Sequence, residues 1–145
     1  MAFDNPPRIQ AHICVKGGAA AIAFYEQAFG AVCAFRQMAE DGVRVLHANL
    51  EMFGGEGMLH DEFPEWQPDV LAPATRGGAS MTINVNLPTP AEVDAAIGRA
   101  AAAGADISLP PGDMFWGARY GRVRDPFGHV WSFNAPLAQA AMKLS

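Results

Sequence analysis

One pattern is written twice in this chain of 145 residues. The first copy reads as a strand from Ile9 to Val15, a helix from Ala19 to Phe29, Gly30-Ala31, and then three strands. The second reads as a strand from Met81 to Leu87, a helix from Ala91 to Ala103, Gly104-Ala105, and again three strands. A β-α-β-β-β unit of roughly 60 residues buries little apolar surface on its own. Two copies are therefore expected to pack together and leave a concave surface between them, where small-molecule sites usually lie. The repeat speaks for architecture and not for the identity of a ligand.

The local chemistry supports each element. In the first strand Ile9, Ala11, Ile13 and Val15 alternate with Gln10, His12 and Cys14, which predicts an apolar face under the helix and a polar face opposite. In the fifth, Met81, Ile83, Val85 and Leu87 are expected to point inward and Thr82, Asn84 and Asn86 the other way. Ala21, Phe24, Tyr25 and Ala28 form a stripe at helical spacing, as do Val93, Ile97, Ala100 and Ala101. Thr89-Pro90-Ala91-Glu92 reads as a capping box with proline at the first helical position. Asp41-Gly42, Gly54-Gly55 and Asp125-Pro126-Phe127-Gly128 read as turns between strands.

Residues 63–78 carry Pro64, Pro68, Pro73 and Gly77-Gly78 and read as an inter-module linker, with Phe63 and Trp66 packed on the body. The expectation is a single domain over 1–145: module 1 at about 8–62, the linker, module 2 at about 79–136, and a short helical or frayed tail over 137–145.

Half the residues are apolar and 17% are charged, which is globular composition. The formal charge is −5 with no cluster of Lys and Arg, so the footprint of a nucleic-acid binder is missing. Cys14 and Cys33 are too few for a disulfide framework and read as buried thiols in a reducing compartment. The N-terminal residues lack a signal-peptide pattern, and no apolar run is long enough to span a bilayer. The reading is a soluble cytoplasmic protein with neither nucleic acid nor membrane as a partner.

Two stretches carry a family resemblance. Residues Ala21 to Ala31 (AIAFYEQAFGA) resemble the first-helix signature of the vicinal oxygen chelate superfamily, which holds glyoxalase I, the bleomycin-resistance proteins, fosfomycin-resistance enzymes and extradiol dioxygenases. Phe115 to Trp131 (FWGARYGRVRDPFGHVW) look like its PhnB-like branch. The resemblance runs from about Ile9 to about Pro136. It implies an α+β fold of two βαβββ modules forming a cup-shaped incomplete barrel, and commonly a homodimer. It also implies ligand positions on the first and last strand of each module. Those positions fall on Gln10, near His60, on Thr82 and on Ser132. Only His60 is a good metal ligand, since zinc, nickel and iron sites want imidazole, thiolate or carboxylate. The cofactor expectation is therefore none. A divalent metal on His12, His60 and Glu51 is the alternative.

The candidate binding residues are His12, His60, Asn84, Trp116, Arg119, Tyr120 and Ser132. Each also has a plainer reading. His12 can be a hydrogen-bonded residue of a polar strand face, His47 with Asn49 and Glu51 a solvated face, and His129 a turn residue. Trp116 and Tyr120 share one face if both lie in a strand, and Arg119 then takes the other, free to pair with Asp113 or Asp125. All three line one face only if a bulge at Gly117 or Gly121 re-aims one of them. The function expected is binding of a small organic molecule, without a catalytic metal. The alternative is a metal-dependent lyase, isomerase or transferase built on His12 and His60. A structural or protein-interaction module is the third reading, and it leaves the polar strand faces unused.

Overall fold

The computed structural model describes residues 6–138, so the tail expected over 137–145 lies almost wholly outside the described residues. The architecture is α+β, with two open four-stranded sheets. The chain divides into two compact units, with the boundary between Ala79 and Ser80.

Unit 1 contains β1 (His12–Val15), α1 (Gly18–Phe29), β2 (Val32–Met38), β3 (Val45–Met52), β4 (Gly55–Asp61) and the short α2 (Pro73–Arg76). Its sheet order is β1-β4-β3-β2, with β1 parallel to β4 and the other pairs antiparallel. The apolar stripe of α1 is buried as Ala21, Phe24, Tyr25 and Ala28, joined by Ile22. It meets Ile13, Val15, Val45, Ala48, Leu50 and Leu59 from the facing side of the sheet. Gly30 ends the helix at φ 65°, a left-handed stop that its lack of a Cβ permits.

A buried carboxylate locks this unit. Asp61 accepts the backbone N–H of Gly17 at 2.8 Å, of Gly18 at 2.9 Å and of Val45 at 2.7 Å. It thereby ties the end of β4 to the start of α1 and the start of β3. Four N–H groups at a helix start have no intrahelical acceptor, and a carboxylate is a strong one. Glu62 does the same for α2 by accepting the Ala72 N–H at 2.8 Å. The Thr75 hydroxyl and that N–H hold its carboxyl below the ordinary value.

Unit 2 contains β5 (Thr82–Asn86), α3 (Pro90–Ala103), β6 (Asp106–Asp113), β7 (Ala118–Arg124) and β8 (Val130–Pro136), in the order β5-β8-β7-β6. The capping box is formed: Thr89 Oγ1 accepts the Glu92 N–H, and the Glu92 carboxylate accepts from Thr89. Val93, Ile97 and Ala100 of α3 are buried with Val85, Val123, Trp131 and Phe133 of the sheet. A buried carboxylate braces unit 2 as well, but at the β7–β8 turn, through Asp125. It accepts from the Phe127 and His129 N–H groups and from Trp131 Nε1 at 2.9–3.0 Å, closing the β7–β8 turn onto the core.

Three expectations need correction. The first strand of each module starts later than its apolar alternation suggests. Ile9 is 92% exposed and Met81 66% exposed. Extended backward, the β1–β4 register sets Ala11 and Ile9 opposite Gly57 and Gly55, which have no side chains to pack against. The β5–β8 ladder begins at Thr82↔Val130, directly after the β7–β8 turn, so Met81 has no partner strand. In residues 63–78 the expected packing on the body holds for Phe63 and not for Trp66. Phe63 is buried, Trp66 is exposed with its ring 5.1 Å from that of Phe63, and α2 packs on β1. Finally, Trp116 lies outside the strands. It sits in the β6–β7 turn closed by Gly117 N–H to the Met114 carbonyl at 3.0 Å.

Candidate functional site

The polar face of the unit 1 sheet follows from its register. Cys14 lies beside His60, and His12 beside Met58, in the parallel β1–β4 ladder. Asn49 lies opposite Met58 and Glu51 opposite Glu56 in β3–β4. Since strand side chains alternate, Gln10, His12, Cys14, His47, Asn49, Glu51, Glu56, Met58 and His60 share one face, away from α1. Three imidazoles gather there. The ring of His12 lies 4.8 Å from that of His60 and 5.6 Å from that of His47, edge-on at 81° in both cases.

Hydrogen bonds fix what this cluster offers. Gln10 Nε2 donates to Glu56 Oε1 at 2.8 Å, and Asn49 Nδ2 donates to the same oxygen at 3.1 Å. Asn49 Oδ1 lies 3.0 Å from His47 Nε2, and as an acceptor it assigns that nitrogen the proton. His60 Nδ1 lies 2.7 Å from the Asp61 carbonyl, which assigns the proton there in the same way. Partial desolvation lowers the pKa of His12, and charge repulsion from His60 and His47 adds to it. A hydrogen-bonded imidazole face is the result. Burial pushes the Cys14 thiol up to about 11, with Glu62 and Asp61 adding to the effect.

The unit 2 face is built the same way. Asn84 pairs with Ser132 and Asn86 with Asn134 across β5–β8, and Tyr120 with Asn134 and Arg122 with Ser132 across β7–β8. Ser132 Oγ donates to Asn84 Oδ1 at 2.8 Å, and Asn84 Nδ2 donates to Asn86 Oδ1 at 3.0 Å. The Trp116 ring meets Tyr120 at 5.6 Å despite its place in the turn, and the Arg122 guanidinium carbon lies 5.9 Å from the Tyr120 ring centre. Thus Asn84, Ser132, Tyr120 and Trp116 come together.

Arg119 does not join them. It lies on the opposite face and bonds Asp94 of α3 at 2.8 Å and Asp113 at 3.1 Å. Asp125 is engaged elsewhere, as above. Gly121 forms no bulge and pairs regularly with Phe133. The irregularity lies in β6, between Ile107 and Gly112. Arg122 was missed by the sequence reading. The signal for it was parity: two residues from Tyr120, it must share that face.

The positions that the resemblance assigns to a metal do not suit one. Gln10 is engaged by Glu56, Ser132 by Asn84, and Thr82 is an exposed hydroxyl. Amides and hydroxyls are poor ligands for zinc, nickel or iron. In the alternative set, Glu51 pairs with Glu56, four residues along β4 from His60. Among the described residues, no group of three or more His, Cys, Asp or Glu side chains is placed to hold a metal ion. A separate cleft of about 630 Å³ in unit 1 is lined by Lys16, Gly18, Val43, Arg44, Glu62 and Pro64 among others, and by none of the candidate binding residues. Among the described residues no helix is long and apolar enough to cross a membrane.

Comparison with known proteins agrees with this fold. "Uncharacterized protein Mb0911c" of Mycobacterium bovis is 38% identical over 143 residues, 98% of this chain and 91% of that protein. The crystal structure of TioX from Micromonospora sp. ML1 is similar with 28% identity and a TM-score of 0.66, covering 91% of this chain and 98% of that one. A glyoxalase-related enzyme from Fulvimarina pelagi is similar with 26% identity and a TM-score of 0.66, over 89% of this chain and 88% of that one. The PhnB protein of Bacillus cereus, 22% identical with a TM-score of 0.64 over 91% of this chain and all of that one, shares the fold. The profile of the Glyoxalase/Bleomycin resistance protein/Dioxygenase superfamily matches residues 8–133, and the chain belongs to that superfamily.

Proposed function

We propose that this protein binds a small organic molecule on the polar faces of its sheets, in the manner of a binding or sequestering member of the superfamily, through hydrogen bonds and aromatic contact. The observation that carries this reading is the state of the family's ligand positions. Gln10 and Ser132 are held by neighbouring side chains, so these positions offer amide and hydroxyl groups beside imidazoles and aromatic rings, and among the described residues no three His, Cys, Asp or Glu side chains are placed to hold a metal ion. Such a lining suits a ligand recognised by shape and a few polar contacts. The reading includes a homodimer in a cytoplasmic setting, checked by light scattering on the purified protein.

The test is a fragment screen by NMR on protein stripped with EDTA. Binding that perturbs the amide signals of Asn84, Asn134 or the imidazoles of His12 and His60 supports the reading. Binding that requires added divalent metal sinks it and favours the metal-dependent alternative.

A further inference from the structure

We propose that Arg122 is an anchor for an anionic group, and that the ligand of the unit 2 face is a planar aromatic carboxylate. This rests on the small-molecule reading above and narrows its ligand class. Strand β7 carries three arginines, and their partners differ. Arg119, on the α3 side, is held by Asp94 and Asp113. Arg124 is offset by Asp106 at 3.2 Å. Arg122 forms no ion pair among the described residues, although it is half-buried on the same face as Tyr120. A partly desolvated guanidinium without a carboxylate is costly unless something else neutralises it. Its planar fork matches a carboxylate.

The surroundings specify the rest. Across β8, Arg122 pairs with Ser132 and Tyr120 with Asn134, so the Asn134 amide lies one diagonal step from Arg122. Ser132 is buried and spends its hydroxyl on Asn84, and among the described residues neither the Arg122 guanidinium nor the Asn134 side-chain amide makes a hydrogen bond. The Tyr120 ring and the half-exposed Trp116 ring meet at 73° and form an aromatic corner beside them. A flat ring seated in that corner can direct a carboxylate to Arg122 and its edge to Asn134.

The test compares benzoate with benzamide, its neutral isostere, by isothermal titration against the full chain, Arg122→Gln, Arg122→Lys and Arg124→Gln. The expected result is benzoate binding at least about tenfold tighter than benzamide, in line with a charge-assisted hydrogen bond. Arg122→Gln removes that preference, Arg122→Lys restores part of it, and Arg124→Gln leaves it in place. If benzamide binds as well as benzoate, or Arg122→Gln keeps the preference, the anion anchor is overturned while the small-molecule reading survives. If neither probe binds, the anchor falls together with the binding reading for this face. Equal thermal unfolding midpoints for the variants establish that any loss is local.

Discussion

Gly18 and Asp61 are in such close contact that no other residue fits at position 18. A Cβ there would lie 2.5 Å from Asp61 Oδ2 and 2.9 Å from Val45 Cβ. The approach lets the carboxylate reach the N–H groups of Gly17, Gly18 and Val45 together. Gly18→Ala is expected to destabilise by about 1–3 kcal/mol through overpacking. Asp61→Ala is expected to cost about 3 kcal/mol or more, because it orphans several buried donors at about 1–3 kcal/mol each. Urea unfolding of both variants checks the order: Asp61→Ala should be the less stable.

Gly121 serves unit 2 in a related way. A Cβ there would meet Ile97 Cδ1 at 2.5 Å, and the Leu109 carbonyl and Pro111 Cα at 3.0 Å. Two of these contacts are backbone, so β6 cannot give way by changing a rotamer. Gly121→Ala is expected to lower stability by about 1–3 kcal/mol, and Ile97→Val to recover part of it. A double-mutant cycle in thermal unfolding measures the coupling.

His12 gives a pH signature. Its folded pKa lies below the ordinary value of 6.5, so between the two values the unfolded chain binds more protons than the folded one. Stability should therefore fall as the pH drops through 6.5 toward the lowered folded value, and this component is absent above 6.5. Replacing His12 with Asn should flatten that part of the stability profile. In NMR titrations, replacing His60 with Asn should move the His12 midpoint back toward 6.5, because one source of repulsion is gone.

The two thiols should react unequally. Cys14 is 6% exposed, lies 3.6 Å from the Val70 carbonyl and ionises near 11, whereas Cys33 is half-buried. Since the thiolate is the reactive form, iodoacetamide at about pH 8 should modify Cys33 first. Peptide mass spectrometry reads the order. Labelling of Cys14 ahead of Cys33 would contradict its burial.

Much of this was legible in the chain. Gly30 and Gly104 mark the helix ends, and Thr89 with Glu92 marks a start, because these are local devices that need no tertiary partner. The strand starts were less legible. The alternation of Ile9 and Met81 continues past the point where a partner strand can pack on it. Parity placed Arg119 and Tyr120 on opposite faces and left Asp113 within reach of Arg119, but its second partner, Asp94, depends on where α3 packs. The meeting of His12, His47 and His60 depends on the parallel β1–β4 register, which joins residues far apart in sequence.

The most direct test of the account is elemental analysis of freshly purified protein, paired with ligand titration before and after EDTA. The account predicts substoichiometric divalent metal and an affinity that EDTA leaves unchanged. Stoichiometric metal that disappears in His60→Ala, together with loss of ligand binding on chelation, would contradict it.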